Sequence, residues 1–221
     1  MQRYFVSHEG APLSDQDQKH IIKVLRMRSN ERIIVCSTVC FEAIITIQDG
    51  SVTYEHQQII SKIKKRNIIL VQGIPKHPKV ETTIKYASMV GVSKIILVPM
   101  TYSIIQTIPS TQKLQRYDMI AKEACELAHR DDLPEIKAIP RLEDIELLKT
   151  TYLLDEKTAH VPNDHKTDDI MLIVGPEGGI HPDERTMLLN KGATQMTLGP
   201  LIMSSEIAGV IALSKLIHFD I

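Results

Sequence analysis

Ile170-Met171-Leu172-Ile173-Val174-Gly175-Pro176-Glu177-Gly178-Gly179 is the stretch that decides the fold. Five consecutive apolar residues run straight into a glycine- and proline-rich turn. Pro182-Asp183-Glu184 then opens a helix that Gly192 closes, the usual proline-first, glycine-last order. A continuous apolar run of this length suits a strand buried on both faces. The scheme recurs downstream, where Met196-Thr197-Leu198 enters a Gly199-Pro200 loop ahead of another helical segment. Working outward, apolar runs at 68–71, 95–98, 136–139, 152–154 and 195–198 alternate with helical spacing. Val80, Ile84, Ala87 and Val90 share a face that ends at Gly91, and Leu114, Tyr117, Ala121, Ala124 and Ala128 share another. A last helix runs from about 205 to 219. Strands alternating with helices predict an α/β fold with a mostly parallel sheet covered on both faces.

The front of the chain reads differently. Short β-type runs at 32–35, 42–47 and 51–54 surround Asp49-Gly50, a strong hairpin signal, and their spacing predicts a small β-barrel. Ser14, with Asp17 three residues on, caps a short helix through His20-Ile21-Ile22-Lys23-Val24-Leu25. Two domains are therefore expected, 1–67 and 68–221. Charge divides in the same place. Residues 1–66 hold ten lysines and arginines against seven acids, whereas the remainder holds sixteen against twenty. The overall charge of −1 is thus an average that hides a basic front.

Composition excludes several classes. The chain is 43% hydrophobic and 24% charged, which rules out disorder and collagen-like structure. Its apolar runs are far shorter than the roughly 20 residues a membrane helix needs, and the amino terminus lacks a signal-peptide core. These features predict a cytoplasmic protein with no membrane association. The three cysteines are expected as reduced thiols. No zinc pattern completes Cys36-x-x-x-Cys40, so no metal is expected, and Cys125 reads as core. Nucleotide fingerprints of the Gly-x-Gly-x-x-Gly and P-loop types are missing. His160 and His165 fall in a polar connector and read as solvent-exposed.

Two features stand out as chemistry. The paired glycine loops at strand ends are either tight connections or the walls of one pocket, since ligands of open α/β sheets sit beyond the carboxyl ends of strands. The basic set His20, Lys23, Arg26 and Arg28, with Arg3 and Arg32 near in sequence, is either a solvated face or a phosphate-binding one. Arg26 lies between Leu25 and Met27, which places a guanidinium beside an apolar seam. Guanidinium groups bind phosphate oxygens through paired, charge-assisted hydrogen bonds.

The order of these motifs resembles the RsmE family of bacterial small-subunit ribosomal RNA methyltransferases, within the SPOUT class. The resemblance runs from Arg3-Tyr4-Phe5-Val6 through His20–Met27, Gly91-Val92, Glu123-Ala124, Arg130 and Pro134 to the 175–179 turn and Leu198-Gly199. It implies a PUA-like barrel that holds RNA and a methyltransferase domain with a trefoil knot. It also implies S-adenosyl-L-methionine as cofactor, a homodimer, and methylation of a uridine N3 in 16S rRNA of the small ribosomal subunit. By the same resemblance Leu154, Gly175, Pro176, Glu177, Gly178, Leu198, Gly199, Ile202 and Met203 bind the cofactor. Side chains in place of the glycines would occlude the adenosine. Arg3, His20, Lys23, Arg26 and Arg28 are the RNA-binding candidates.

This chain departs from the family at its third motif. Leu201 and Ser204 stand where the family carries arginines, Tyr86 and Met89 where it has a lysine and a glutamate, and Leu127 where it has a glutamine. Transfer to uracil N3 requires loss of an imide proton, and a positioned cation favours the resulting anion. Arg130, the remaining family-matched arginine of that domain, is the catalytic candidate; its competing reading is a helix-terminal arginine on backbone carbonyls. Two functions stay open: an active methyltransferase with a divergent site, or a catalytically impaired paralogue that binds RNA.

Overall fold

The structure, a computed structural model, describes residues 1–60, 67–158 and 169–217. His160, His165, the basic run at 62–66 and the chain beyond 217 lie outside the described residues. Two compact units result, Met1–Lys64 with Lys122–Leu133, and Lys65–Ala121 with Pro134–Ile221. The segment Lys122–Leu133 thus groups with the front of the chain, although it follows the first helical elements of the second unit.

In the first unit, strands β1 (Arg3–Phe5), β2 (Arg32–Cys36), β3 (Cys40–Gln48) and β4 (Ser51–Ile60) form one sheet in that order. β1 runs parallel to β2, and the other pairs are antiparallel. The hairpin between β3 and β4 turns at Asp49 and Gly50, with φ of 50° and 78°, the left-handed pair that such a two-residue turn demands. Tyr4, Ile33, Val35, Ala43, Ile45 and Val52 face a common core with Leu13 and Ile21. Ser14 caps α1 (Asp15–Lys19), its hydroxyl accepting the Asp17 N–H at 3.1 Å. The expected helix then widens into a π turn over His20–Val24, closed by the Leu25 N–H on the His20 carbonyl at 2.9 Å.

The cysteines are not all reduced, against the expectation from their number. Cys36 and Cys40 form a disulfide, because the β2–β3 ladder sets them directly opposite each other at its end, with Cα atoms 4.0 Å apart. Cys125 is free and buried as expected, its thiol pushed up to about 12 by burial.

The second unit holds a six-stranded, wholly parallel sheet. Its strands are β5 (Asn67–Gly73), β6 (Lys94–Val98), β7 (Glu135–Ala138), β8 (Thr151–Leu154), β9 (Asp169–Val174) and β10 (Thr194–Met196). They are ordered β10-β8-β9-β5-β6-β7. The chain builds outward from β5 through β6 to β7, then returns to the far side through β8 and inserts β9 between β8 and β5. Its helices are α2 (Lys79–Val90), α4 (Pro182–Asn190), α5 (Ser205–Leu216) and α3 (Thr111–Leu127) as far as Ala121, the rest of α3 grouping with the first unit.

Alternation along the strands sends side chains to two cores, as predicted for a sheet covered on both sides. Ile68, Leu70, Leu172 and Val174 pack with Ile84 of α2, Tyr117 of α3 and Leu213 of α5. Ile69, Val71, Met171 and Ile173 pack on the other side with Leu188 of α4. Pro182 opens α4 behind a His181 cap, and the Glu184 carboxylate accepts the His181 N–H in return.

Candidate functional site

A cavity of about 530 Å³ opens at the carboxyl ends of β8, β9 and β10, the place where strand order reverses and ligands of such sheets bind. Three loops wall it, following Leu154, Val174 and Met196. Leu154, Gly175, Pro176, Glu177, Gly178, Leu198, Gly199, Ile202 and Met203 all line it. The open choice between two separate tight turns and one shared pocket is thereby decided: both glycine loops border the same space.

The glycines also answer to constraints within the chain itself. A Cβ on Gly178 would sit 2.8 Å from Tyr102 Cβ, so that position is fixed by packing inside the protein. Gly199 instead occupies φ 110°, where a side chain is strained, and a Cβ there would meet open space. The turn is also held from below. Gln72, fully buried on β5, donates from Nε2 to the carbonyls of Gly73 and Gly175 at 3.0 and 3.1 Å.

A buried ionic network that the sequence did not reveal joins the first two loops to strand β10. Asp155, directly after β8 and lining the cavity, accepts from Arg185 of α4 through both carboxylate oxygens. It also accepts Gln195 Nε2 at 2.9 Å and the Lys157 N–H at 3.1 Å. Arg185 Nη2 reaches on to the Ile180 carbonyl at 3.2 Å. One carboxylate thus ties the ends of β8 and β10 to the loop leading into α4. Burial works to raise the Asp155 carboxyl, but the bonds from Arg185, Lys157 and Gln195 outweigh it and hold it below the usual carboxylate range. A polar residue one step past a buried strand was the available signal for Asp155; nothing in the pattern singles out Arg185.

At the cavity rim stands Lys79, the first residue of α2 and also missed from sequence. Leu201 and Ile202 lie on the third loop, 75% and 86% exposed, so this wall presents apolar side chains to the opening. Glu156 and Glu177 add carboxylates to the lining, which suits a cationic ligand.

Arg130 does not line this cavity. It belongs to the first unit, where its Nε and Nη2 donate to Asp132 Oδ1 at 3.1 and 2.7 Å and its backbone N–H caps the Cys125 carbonyl at 2.9 Å.

The basic candidates of the first unit fall into two groups. Lys23, Arg26 and Arg28 are exposed around the π turn, beside Val24 and Leu25, which are 68% and 40% exposed. The chain passes through a left-handed φ of 53° at Arg26 and returns with the Met27 N–H on the Ile21 carbonyl. His20 and Arg3 are partly withdrawn. The His20 Nδ1 pairs with the Tyr4 hydroxyl at 3.2 Å, and its ring meets Tyr4 edge-on. Arg32 is taken up by Glu42. Behind this turn Lys122 binds both oxygens of Asp17 at 2.9 and 2.7 Å and lies 3.3 Å from Glu126. Glu126 in turn accepts the Phe5 N–H at 3.0 Å, and Glu123 accepts from Gln16. No helix is long and apolar enough to cross a membrane, and no three metal-ligating side chains gather, among the described residues.

The family model for an RNA methyltransferase domain matches residues 62–217. The ribosomal RNA small subunit methyltransferase E of Bacillus subtilis is 27% identical, with 98% of this chain and 96% of that protein covered. Its counterpart from Buchnera aphidicola is 28% identical over 92% of this chain and 86% of that one. A crystal structure of the Neisseria gonorrhoeae ribosomal RNA small subunit methyltransferase E bound to S-adenosyl methionine superposes with a TM-score of 0.83. It is 23% identical, and the match covers 98% of this chain and 96% of that one. A parallel sheet with a three-loop cavity at its carboxyl edge, and a family model spanning most of the chain, lead to one statement: this chain belongs to the RNA methyltransferase domain family.

Proposed function

We propose that this chain is an S-adenosyl-L-methionine-dependent methyltransferase acting on the N3 of a uridine in 16S rRNA of the small ribosomal subunit, as a cytoplasmic homodimer. The observation that carries the reading is the cavity, which gathers all nine expected cofactor residues from three separate loops. Its volume lies within the range of small-molecule sites. Leu154, Leu198, Ile202 and Met203 offer apolar walls suited to a purine, and Glu156 and Glu177 offer carboxylates suited to a cationic centre. When bound, S-adenosyl-L-methionine supplies an electrophilic methyl group. The likeness to methyltransferase E proteins supports both cofactor and ribosomal RNA as substrate class.

The front unit is a PUA-like barrel domain over 1–67 that holds RNA. The rest, 68–221, is a knotted SPOUT methyltransferase domain. Lys23, Arg26 and Arg28, with His20 and Arg3 beside them, hold the RNA. A uracil N3 lies on the pairing edge of the base, so the target is unpaired or extruded before transfer. Arg130 orients the base or stabilises its anion once the imide proton has left.

A second reading follows from a specific observation: the third loop carries Leu201 and Ser204 in place of arginines. On that reading the chain is a catalytically impaired RNA-binding paralogue. Mass mapping of 16S rRNA from cells with and without this protein separates the two. Loss of one uridine methylation, restored by the expressed protein, is the expected result. If methylation is unchanged with no other protein able to supply it, the enzyme reading fails, and retained RNA binding then establishes the alternative. Calorimetric titration with S-adenosylhomocysteine tests the cofactor assignment separately.

A further inference from the structure

Lys79 is the one cation among the described residues lining the cavity. Its Nζ lies 3.0 Å from Glu206 Oε2 and 3.7 Å from Glu177 Oε1. Glu177 Oε1 also accepts the Lys76 N–H at 3.1 Å. The three charged side chains come from three segments that are distant in sequence: the first turn of α2, the 175–179 turn and the first turn of α5. Their side chains are partly withdrawn from water, at 24% exposure for Lys79, 23% for Glu177 and 14% for Glu206, although Glu177 as a whole residue stands exposed. Two carboxylates held around one ammonium in such a setting repel each other if the ammonium is removed, and weak screening makes the repulsion count.

Resting on the cofactor reading above, we propose that Lys79 is a positioning residue for the methyl donor: its ammonium ties Glu177 of the turn to Glu206 of α5 and keeps the cavity mouth in its binding shape. The charge states agree with this role. The hydrogen bond to Glu206 pushes Lys79 above its ordinary value despite burial. Burial works to raise Glu206, but its own backbone N–H, Lys79 and Ser204 hold it below the usual carboxylate range. The tie therefore stays charged through neutral pH.

The test uses the full chain. S-adenosylhomocysteine is titrated calorimetrically into the natural protein, Lys79→Met, Lys79→Arg and the double variant Lys79→Met with Glu206→Gln. Amide hydrogen exchange at Gly178 and Gly179 is followed without ligand. A turn left closed only about a tenth of the time costs about tenfold in apparent affinity, and that loss is expected for Lys79→Met, with faster exchange to match. Lys79→Arg keeps the charge and should stay within about threefold. The double variant removes the unbalanced carboxylate and should recover most of the loss. Unchanged affinity and exchange in Lys79→Met would overturn the proposal, and so would a double variant no better than the single one. If the natural protein does not bind S-adenosylhomocysteine, the cofactor reading fails, and exchange alone decides for or against the tie. If Lys79→Met does not fold, Glu206→Gln is read in its place. Removal of one tether should then speed exchange about threefold, and no change counts against the proposal.

Discussion

The cavity of the second unit and the basic turn of the first both carry charge, but they hold it in opposite ways. At the cavity, Asp155 is almost fully buried and accepts from Arg185, Gln195 and the Lys157 N–H. At the turn, Lys23, Arg26 and Arg28 stand exposed around a π turn held by backbone hydrogen bonds. Buried charge with fixed partners sets shape; a single lost partner leaves a desolvated ion behind. Exposed charge contributes little to stability yet acts at a distance on a polyanion. Substitutions should therefore divide cleanly, costing stability in the one region and salt-dependent binding in the other.

The largest break is expected at Asp155. Asp155→Ala strands the Arg185 guanidinium, whose side chain is only 14% exposed, and should cost about 3–5 kcal/mol in urea unfolding. Cofactor affinity should fall with it, because the same carboxylate joins the loops. Asp155→Asn keeps the shape and supplies the pH test. Since the fold lowers the Asp155 pKa, the stability it contributes is present above the unfolded value near 3.8 and is lost as pH falls through the folded one. The stability gap between the natural protein and Asp155→Asn should therefore be widest near neutrality and close below about pH 4. A gap that is constant with pH would mean that Asp155 acts through shape alone.

Next in size is Gly178→Ala. The added methyl meets Tyr102 Cβ at 2.8 Å, and overpacking of this kind costs about 1–3 kcal/mol. Gly199→Ala offers a control with open space around it, where the only cost comes from the left-handed backbone, about 1 kcal/mol. If Gly178→Ala weakens binding of S-adenosylhomocysteine while unfolding stays unchanged, that glycine serves the ligand and not the Tyr102 contact.

How much of this was readable from the sequence differs between the two regions. The apolar runs and the Pro182 and Gly192 boundaries placed the sheet and helices of the second unit, because buried strands and helix ends follow local rules. The 175–179 turn was legible as a loop at a strand end. Its packing constraint was not, since the Tyr102 contact joins residues 76 positions apart. Asp155 carried one weak signal, a polar residue just past a buried strand, but its partner Arg185 and the Lys79 tie had none: ion pairs across 30 or 127 positions leave no spacing to read. In the first unit the Asp49-Gly50 turn was plain, whereas the Cys36–Cys40 disulfide needed the β2–β3 register and not the cysteine count. The grouping of Lys122–Leu133 with the front strands depends on contacts such as Lys122 with Asp17, again beyond any local pattern.

The smallest stability effect, and the sharpest test of the contrast, belongs to Arg26. Its φ of 53° suits glycine better than any side chain, so Arg26→Gly should leave unfolding unchanged or raise stability by up to about 1 kcal/mol. The same change removes one exposed guanidinium from the turn. If that group contacts a phosphate, RNA binding should weaken, and the slope of log affinity against log salt should fall by about one contact's worth. Stability and binding then move in opposite directions from one substitution, which no buried residue of the cavity can do. Arg26→Lys keeps the charge at the strained position and should preserve the slope. A slope that stays unchanged in Arg26→Gly would show that the turn presents its apolar pair, Val24 and Leu25, rather than its cations, and the division of labour between the two regions would have to be redrawn.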